Sequence, residues 1–271
     1  MDEGRWRGWE NAEIYDRFVR EHAIYRWLNA RLVERAHLAG ARRVLDLGCG
    51  TGATAQACLA VLGPEAEVAG VDASAEMVEV ARAATQDPRA RFHVAPAERA
   101  EAAVQGPFDR AVSNAAFWMF PAPEAVLAGL ARLLSPDGLF VFNVPSERIG
   151  QGAGGEAGRV HPFQVALASA IAERTGEPFA RSSRPFSPEA FRAQAARAGL
   201  QVEAEEELVY EGRQGELVEL MSIPAMISPL TAGLSDADVE AVLARARAAV
   251  EPEERVQVAW TYVTARRREG A

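Results

Sequence analysis

Two aspartates stand where an apolar run meets a turn, and they are the residues from which a chemistry can be read. Asp46 closes Val44-Leu45-Asp46-Leu47 and leads into Gly48, Gly50 and Gly52, three glycines at alternate positions, after which Ala53–Leu62 reads as a helix. A strand, a tight glycine turn and a helix start let a ligand approach the backbone closely and offer it unpaired N–H groups. Gly48, Gly50 and Ala53 fit the dinucleotide fingerprint G-x-G-x-x-G/A, and Asp72 follows at the expected distance of about 20 residues. The glycines alone therefore leave the ligand open. A carboxylate at Asp46 repels a pyrophosphate and attracts a ligand that carries ammonium and sulfonium charge. Asp72, ending Val68–Asp72, can accept both hydroxyls of a ribose under either reading.

The nine residues Val44–Gly52 resemble motif I of the class I S-adenosylmethionine (SAM) dependent methyltransferases, of the small-molecule type, and the resemblance extends over residues 40 to 145. It implies SAM as cofactor, held by Asp46, Gly48, Cys49 and Gly50. Asp72 would take the ribose, with Ala73 and Met77 near the adenine. Ala97 and Glu98 would recognise the adenine amino group, although Pro96 stands where the family usually has a polar residue. Asn114 and Ala115, after the fourth strand, would face the methionine end. Phe117 and Trp118 follow and could wall the acceptor pocket or pack in the core. The Asn-Pro-Pro-Tyr signature of amino-group methyltransferases acting on nucleobases or glutamine is absent. Enzymes of this type often carry a helical lid ahead of motif I, and Tyr15 could then meet the sulfonium through a cation–π contact, with Tyr25 toward the substrate.

The elements that must position these residues follow from periodicity. Residues 10 to 38 read as a helix pair. Strands are expected at 43–47, 68–72, 91–95, 108–114 and 139–144, alternating with helices, which makes a parallel, doubly wound sheet. Val202–Tyr210 and Arg255–Ala265 alternate as further strands. The expected fold is α/β: a Rossmann-like, mostly parallel seven-stranded sheet with an antiparallel C-terminal strand and helical lid and cap insertions. Its parts are an N-terminal lid (1–40), a SAM-binding core (41–145), a cap insertion (146–186), a continuation of the core (187–212), a second cap insertion (213–252) and a final core strand (253–271). Gly150, Gly152, Gly154, Gly155 and Gly158 suggest a gating loop. Met221, Met226 and Ile227, interrupted by prolines, suit an irregular apolar pocket for the acceptor, and equally ordinary core filling. His161 is the lone histidine of the first cap. Its titration range suits a general base, although a lone histidine is more often structural.

Composition narrows the partners. The net charge is −9, with no lysine at all, which disfavours nucleic acid. No apolar run is long enough to cross a membrane and no leader pattern opens the chain. Cys49 and Cys58 make neither a disulfide framework nor a metal pattern. The expectation is a cytoplasmic enzyme, without a metal, that transfers a methyl group from SAM to oxygen, nitrogen or carbon of a small or medium-sized organic molecule; its oligomeric state is open. The alternatives are a non-methylating SAM enzyme (a lyase or cyclase) and, with less support, an NAD-dependent oxidoreductase.

Overall fold

The structure is a computed structural model and describes residues 5–148, 161–177 and 186–268. Two helices, α1 (Trp9–Glu21) and α2 (Ala23–Ala36), precede the sheet. Then β1 (Arg43–Leu47), α3 (Ala53–Leu59), β2 (Glu67–Asp72), α4 (Ala75–Ala84), β3 (Ala90–Val94), α5 (Ala100–Ala103), β4 (Phe108–Ser113), α6 (Pro123–Leu133) and β5 (Leu134–Pro145) alternate. The second half runs α7 (Pro162–Thr175), α8 (Pro188–Arg197), β6 (Leu200–Arg213), α9 (Gln214–Ser222), α10 (Pro224–Ile227), α11 (Asp236–Ala248) and β7 (Arg255–Arg267). The seven strands lie in the order β3-β2-β1-β4-β5-β7-β6, with β7 antiparallel to both neighbours and the other pairings parallel. The expected Rossmann-like sheet with its antiparallel C-terminal strand is therefore present.

Alternation along the strands divides the core between two faces. Val44, Val68, Val112 and Val141 pack with Ile24, Leu28 and Leu32 of α2. Leu45, Ala111, Phe140 and Phe142 pack with Leu127 and Leu130 of α6 and Phe191 of α8. A third cluster, built from Phe163, Leu167 and Ile171 of α7, Ile227 of α10, and Val242 and Leu243 of α11, is separate from both. The chain reverses strand order between β1 and β4, and the crevice beyond their C-terminal ends is where an open α/β sheet binds its ligand.

Local chemistry sets the helix starts. Ser74, Ser187 and Ser235 cap α4, α8 and α11 by accepting the N–H of Met77, Ala190 and Asp238. The bounds of the elements depart from expectation in three places. The first helix of the core stops at Leu59 rather than Leu62. The strand expected at 139–144 begins at Leu134, and Ser135–Gly138 lie inside it as an irregularity, with Asp137 at φ 61° and a register shift against β4. The stretch after 213 is two helices, since Pro224 can start α10 but cannot continue α9. The glycines from Gly150 to Gly158, and with them the expected gating loop, lie outside the described residues, as do residues 178–185 of the first cap insertion.

Phe117 sits in the second cluster, 1 % exposed, with its ring centroid 4.4 Å from Phe142, 5.4 Å from Phe140 and 5.6 Å from Phe191. The expectation that it walls the pocket is thus corrected: it is core. Phe117→Ala should cost about 3–5 kcal/mol, read as a lower urea midpoint at unchanged slope. A cost below about 1 kcal/mol would show that the ring is not packed as described.

Candidate active site

The glycine turn is built by dihedrals that favour glycine. Gly48, Gly50 and Gly52 have φ of 70°, 51° and 88°. A Cβ on Gly48 would stand 2.6 Å from that of Ala116, and one on Gly50 3.3 Å from the Tyr15 ring. The N–H groups of Gly48 and Cys49 both donate to Val71 O, at 2.8 and 3.2 Å, which folds the turn back over the end of β2. Asp72, half-buried at that end, accepts the Gly50 N–H on one oxygen and the Ser74 N–H on the other, each at 2.9 Å. Burial raises its pKa and these N–H groups oppose the rise.

Asp46 is placed differently from the expectation. It shares the Val44 face of β1, so its side chain enters the interior beneath α3 instead of pointing off the strand end. It is fully buried, neither carboxyl oxygen has a well-formed hydrogen bond, and it does not line the cavity. Burial first, and the charge of Asp72 second, push its pKa up to about 8, with the Ala55 N–H pulling the other way. Cys49 is also behind the wall, against Gly70, and burial pushes its thiol up. Ile227 ends α10 and turns into the cap cluster, while its neighbour Met226, about 100° away around the helix, faces the cavity.

That cavity has a volume of about 690 Å³ and runs from the glycine turn to α7, α9, α10 and β7. Of the expected cofactor residues, Tyr15, Gly48, Gly50, Asp72, Ala73, Met77, Ala97, Glu98, Asn114 and Ala115 lie on its wall. Tyr25, Trp118, Met221, Met226 and His161 lie there too. Tyr15 packs edge-on against Tyr25 and Trp6, at centroid distances of 5.5 and 5.4 Å. Burial pushes the Tyr25 phenol up to about 12 and Tyr15 well above its ordinary value, so both keep their protons. Glu98 sits on the single 3-10 turn Ala97–Arg99 that follows β3. His161 is the N-cap of α7, but its side chain makes no capping hydrogen bond. Burial lowers its pKa, with Glu147 opposing.

Several site residues had no signal strong enough to be read. Asn143, fully buried on β5, donates to Asn114 Oδ1 at 2.7 Å and accepts the Ala115 N–H at 2.6 Å. It thereby holds Ala115 at φ 52°, a conformation that is rare for a residue with a side chain. A single polar residue inside the apolar run Leu139–Val144 was the available clue. Asn11 donates to the carbonyls of Arg5 and Arg7, both at 3.0 Å, and accepts the Ala225 N–H at 2.9 Å. It ties the first described residues to α10. Glu147 and Trp260 complete the wall.

A seven-stranded sheet of this order, with a glycine turn after β1 and an acid ending β2, defines a Rossmann-like α/β domain. Residues 44–138 match the family model described as "Methyltransferase domain". The chain is 34% identical over 152 residues to a trans-aconitate 2-methyltransferase of Methylobacterium nodulans, covering 54% of this chain and 55% of that protein. It is 30% identical over 137 residues to a malonyl-[acyl-carrier protein] O-methyltransferase of Bacillus cereus, covering 49% and 48%. The chain thus spans about half the length of the curated relatives it matches. The solved structure of the [4+2]-cyclase SpnF has the same fold, with a TM-score of 0.56 at 18% identity over 90% of this chain and 82% of that one. The core of the chain, residues 44–138, is thus similar to methyltransferase domains, and the fold of the sheet agrees with that similarity. Among the described residues, no helix is long and apolar enough to cross a membrane.

Asp46 yields a test that needs no ligand. Its pKa is raised in the fold, so above pH 4 the unfolded chain releases a proton that the folded chain keeps. Folding is therefore penalised increasingly between about pH 4 and pH 8, by up to several kcal/mol. Asp46→Asn should raise Tm at pH 7 by several degrees, and the gain should fade as pH approaches 4. A gain that is the same at every pH, or a loss at pH 7, would contradict this placement of Asp46.

Proposed function

We propose that this chain is a SAM-dependent methyltransferase acting on a small or medium-sized organic molecule held in the same cavity. The observation that carries the reading is Asp72. Two backbone N–H groups fix its carboxylate on the cavity wall beside the glycine turn, inside the region that matches the methyltransferase model. The remaining lone pairs can accept the hydroxyls of a ribose. The fit extends around it. The orphaned carboxyl of Asp46 lies beneath the turn, where a nearby cation would favour its ionised form. Tyr15 brings an aromatic ring against Gly50, suited to a sulfonium. Ala97 and Glu98 offer a backbone and a carboxylate to an adenine, with Met77 and Ala73 along its side. Asn114 has its carbonyl taken by Asn143, so its amide N–H groups are left for a ligand carboxylate.

When bound, SAM supplies an electrophilic methyl group to a lone pair and leaves as the neutral thioether S-adenosylhomocysteine. The chain's task is then to align and to exclude water, since charge disperses as the methyl moves. Trp6, Tyr15 and Tyr25 close the cofactor side. Leu217, Leu220, Met221 and Met226 make an apolar acceptor side, where burial of acceptor surface drives binding. In this reading residues 1–40 act as a lid and the α7 and α9–α11 segments as a cap. Free, buried Cys49 and Cys58 and the acidic surface suit a cytoplasmic enzyme with no nucleic-acid partner.

Asp72→Ala should weaken SAM binding by about 1.5–3 kcal/mol, the worth of a hydrogen bond to a charged group, measured by calorimetry. Mass spectrometry of the turnover mixture should show S-adenosylhomocysteine. Methylthioadenosine in its place would move the chain to elimination or cyclisation chemistry, and tight NAD binding without SAM binding would overturn the reading.

A further inference from the structure

The Asn11 side chain joins two stretches that lie far apart in the chain. Its Nδ2 donates to the carbonyls of Arg5 and Arg7, both at 3.0 Å, and its Oδ1 accepts the Ala225 N–H at 2.9 Å. A carbonyl can only accept and a backbone N–H can only donate, so these partners fix which end of the amide faces which stretch. Two donors and an acceptor in one short side chain are what asparagine has and an aspartate or leucine of similar size lacks.

The bond to Ala225 completes the start of α10. Pro224 brings no N–H, and the N–H groups of Met226 and Ile227 both turn back to Ile223 O, at 2.8 and 3.0 Å. The Ala225 N–H is the remaining donor of that turn. Ala225 is 1 % exposed, and Ile223, at the N-cap position, has no side-chain oxygen to offer. A buried N–H without an acceptor is costly, and Asn11 of α1 supplies the acceptor that the local sequence lacks. Ile223 and Ala225 pack in the cluster that also holds Phe18, Val19 and Tyr25, whereas Ile227 packs in the cluster of α7 and α11. Met226 and Leu230 line the cavity, so the position of α10 sets the shape of that part of the wall.

The other end of the amide leads to the glycine turn. The chain enters α1 through Gly8 at φ 95°, and Trp6, just before it, packs edge-on against Tyr15 at 5.4 Å. Asn11 and Tyr15, four residues apart, share a face of α1. The Tyr15 ring stands 3.3 Å from where a Cβ on Gly50 would lie. Trp6, Tyr15 and Gly50 all line the cavity. One set of contacts thus runs from the glycine turn through Tyr15 and Trp6 to the 5–7 backbone, then through Asn11 to α10.

We propose, resting on the methyltransferase reading above, that Asn11 is a positioning residue that couples the two ends of the cavity. A ligand held at the glycine turn steadies Tyr15 and Trp6, these steady the 5–7 backbone, and Asn11 passes that order to α10. The acceptor wall around Met226 is completed only once the cofactor is in place. Such coupling is reciprocal, so an acceptor seated against Met226 tightens the hold on the cofactor. A second link, from His22 to Glu219 of α9 at 2.8 Å, ends on a largely exposed carboxylate and serves as the control.

The test is hydrogen exchange read by mass spectrometry, on the free chain and on the chain saturated with S-adenosylhomocysteine, for wild type, Asn11→Asp, Asn11→Leu and His22→Ala. In the wild type the ligand should slow exchange over residues 223–231 by about fivefold or more, the low end of typical coupling between sites, and also around Tyr15 and Gly50. In Asn11→Asp the carboxylate still accepts the Ala225 N–H but cannot donate to Arg5 and Arg7. Exchange over 223–231 should then match the free wild type and cease to respond to the ligand, while the response around Gly50 remains. Asn11→Leu should lose both the protection over 223–231 and its response, and His22→Ala should keep both. An unchanged 223–231 stretch in the ligand-saturated wild type, or an undiminished response there in Asn11→Asp, would overturn the proposal. Failure of the wild-type chain to bind either S-adenosylhomocysteine or SAM would instead overturn the methyltransferase reading.

Discussion

Two carboxyl groups at the ends of neighbouring parallel strands govern this structure. The β1–β2 pairing sets Asp46 beside Gly70 and brings Leu47 against Val71, so Asp46 and Asp72 meet under one glycine turn. Like charges so close in a low-dielectric setting cannot both be ionised cheaply. The fold resolves this unequally: Asp72 is given two well-formed N–H hydrogen bonds and a place on the cavity wall, while Asp46 has no well-formed hydrogen bond, only the influence of the Ala55 N–H, and burial raises the pKa of both. A buried, unpaired acid lowers stability and is the kind of group that functional sites retain. It also alters the simplest electrostatic argument against a dinucleotide. A neutral Asp46 repels a pyrophosphate only weakly, so the discrimination rests on the similarity of the core to methyltransferase domains.

The rest of the molecule can be understood as support for that corner. Asn143 locks the backbone after β4 into a left-handed turn at Ala115, so that Asn114 and Ala115 face the cavity from the strand adjoining β1. Tyr15 lies over the glycine turn because α1 and α2 cross the sheet's first face. Asn11 fastens the segment before α1 to the start of α10. The helices α7, α10 and α11 have a small core of their own, separate from the two that cover the sheet.

Much of this was legible in the sequence, for local reasons. Alternating glycines, an acid closing an apolar run and serines ahead of helices each report a backbone requirement within a few residues. What could not be read depends on long-range register. Glu147 and Trp260 meet the cavity through the antiparallel β5–β7 pairing, and Asn11 and Ala225 are far apart in the chain. Phe117 and Trp118 are adjacent aromatics, and the sequence does not say which one turns inward; Phe117 does, and Trp118 lines the cavity. Asp46 was read as a strand-end residue when its parity with Val44 already placed it on an inner face.

The central claim is that this acid pair makes the glycine turn a site for a ligand carrying positive charge. Calorimetric titration of SAM at pH 7, repeated in buffers of different ionisation enthalpy, measures the protons exchanged on binding. If the claim holds, a cation arriving above Asp46 lowers its pKa, and the wild-type chain releases a fraction of a proton that Asp46→Asn does not. Equal proton exchange in the two chains, with SAM bound equally well, would contradict it.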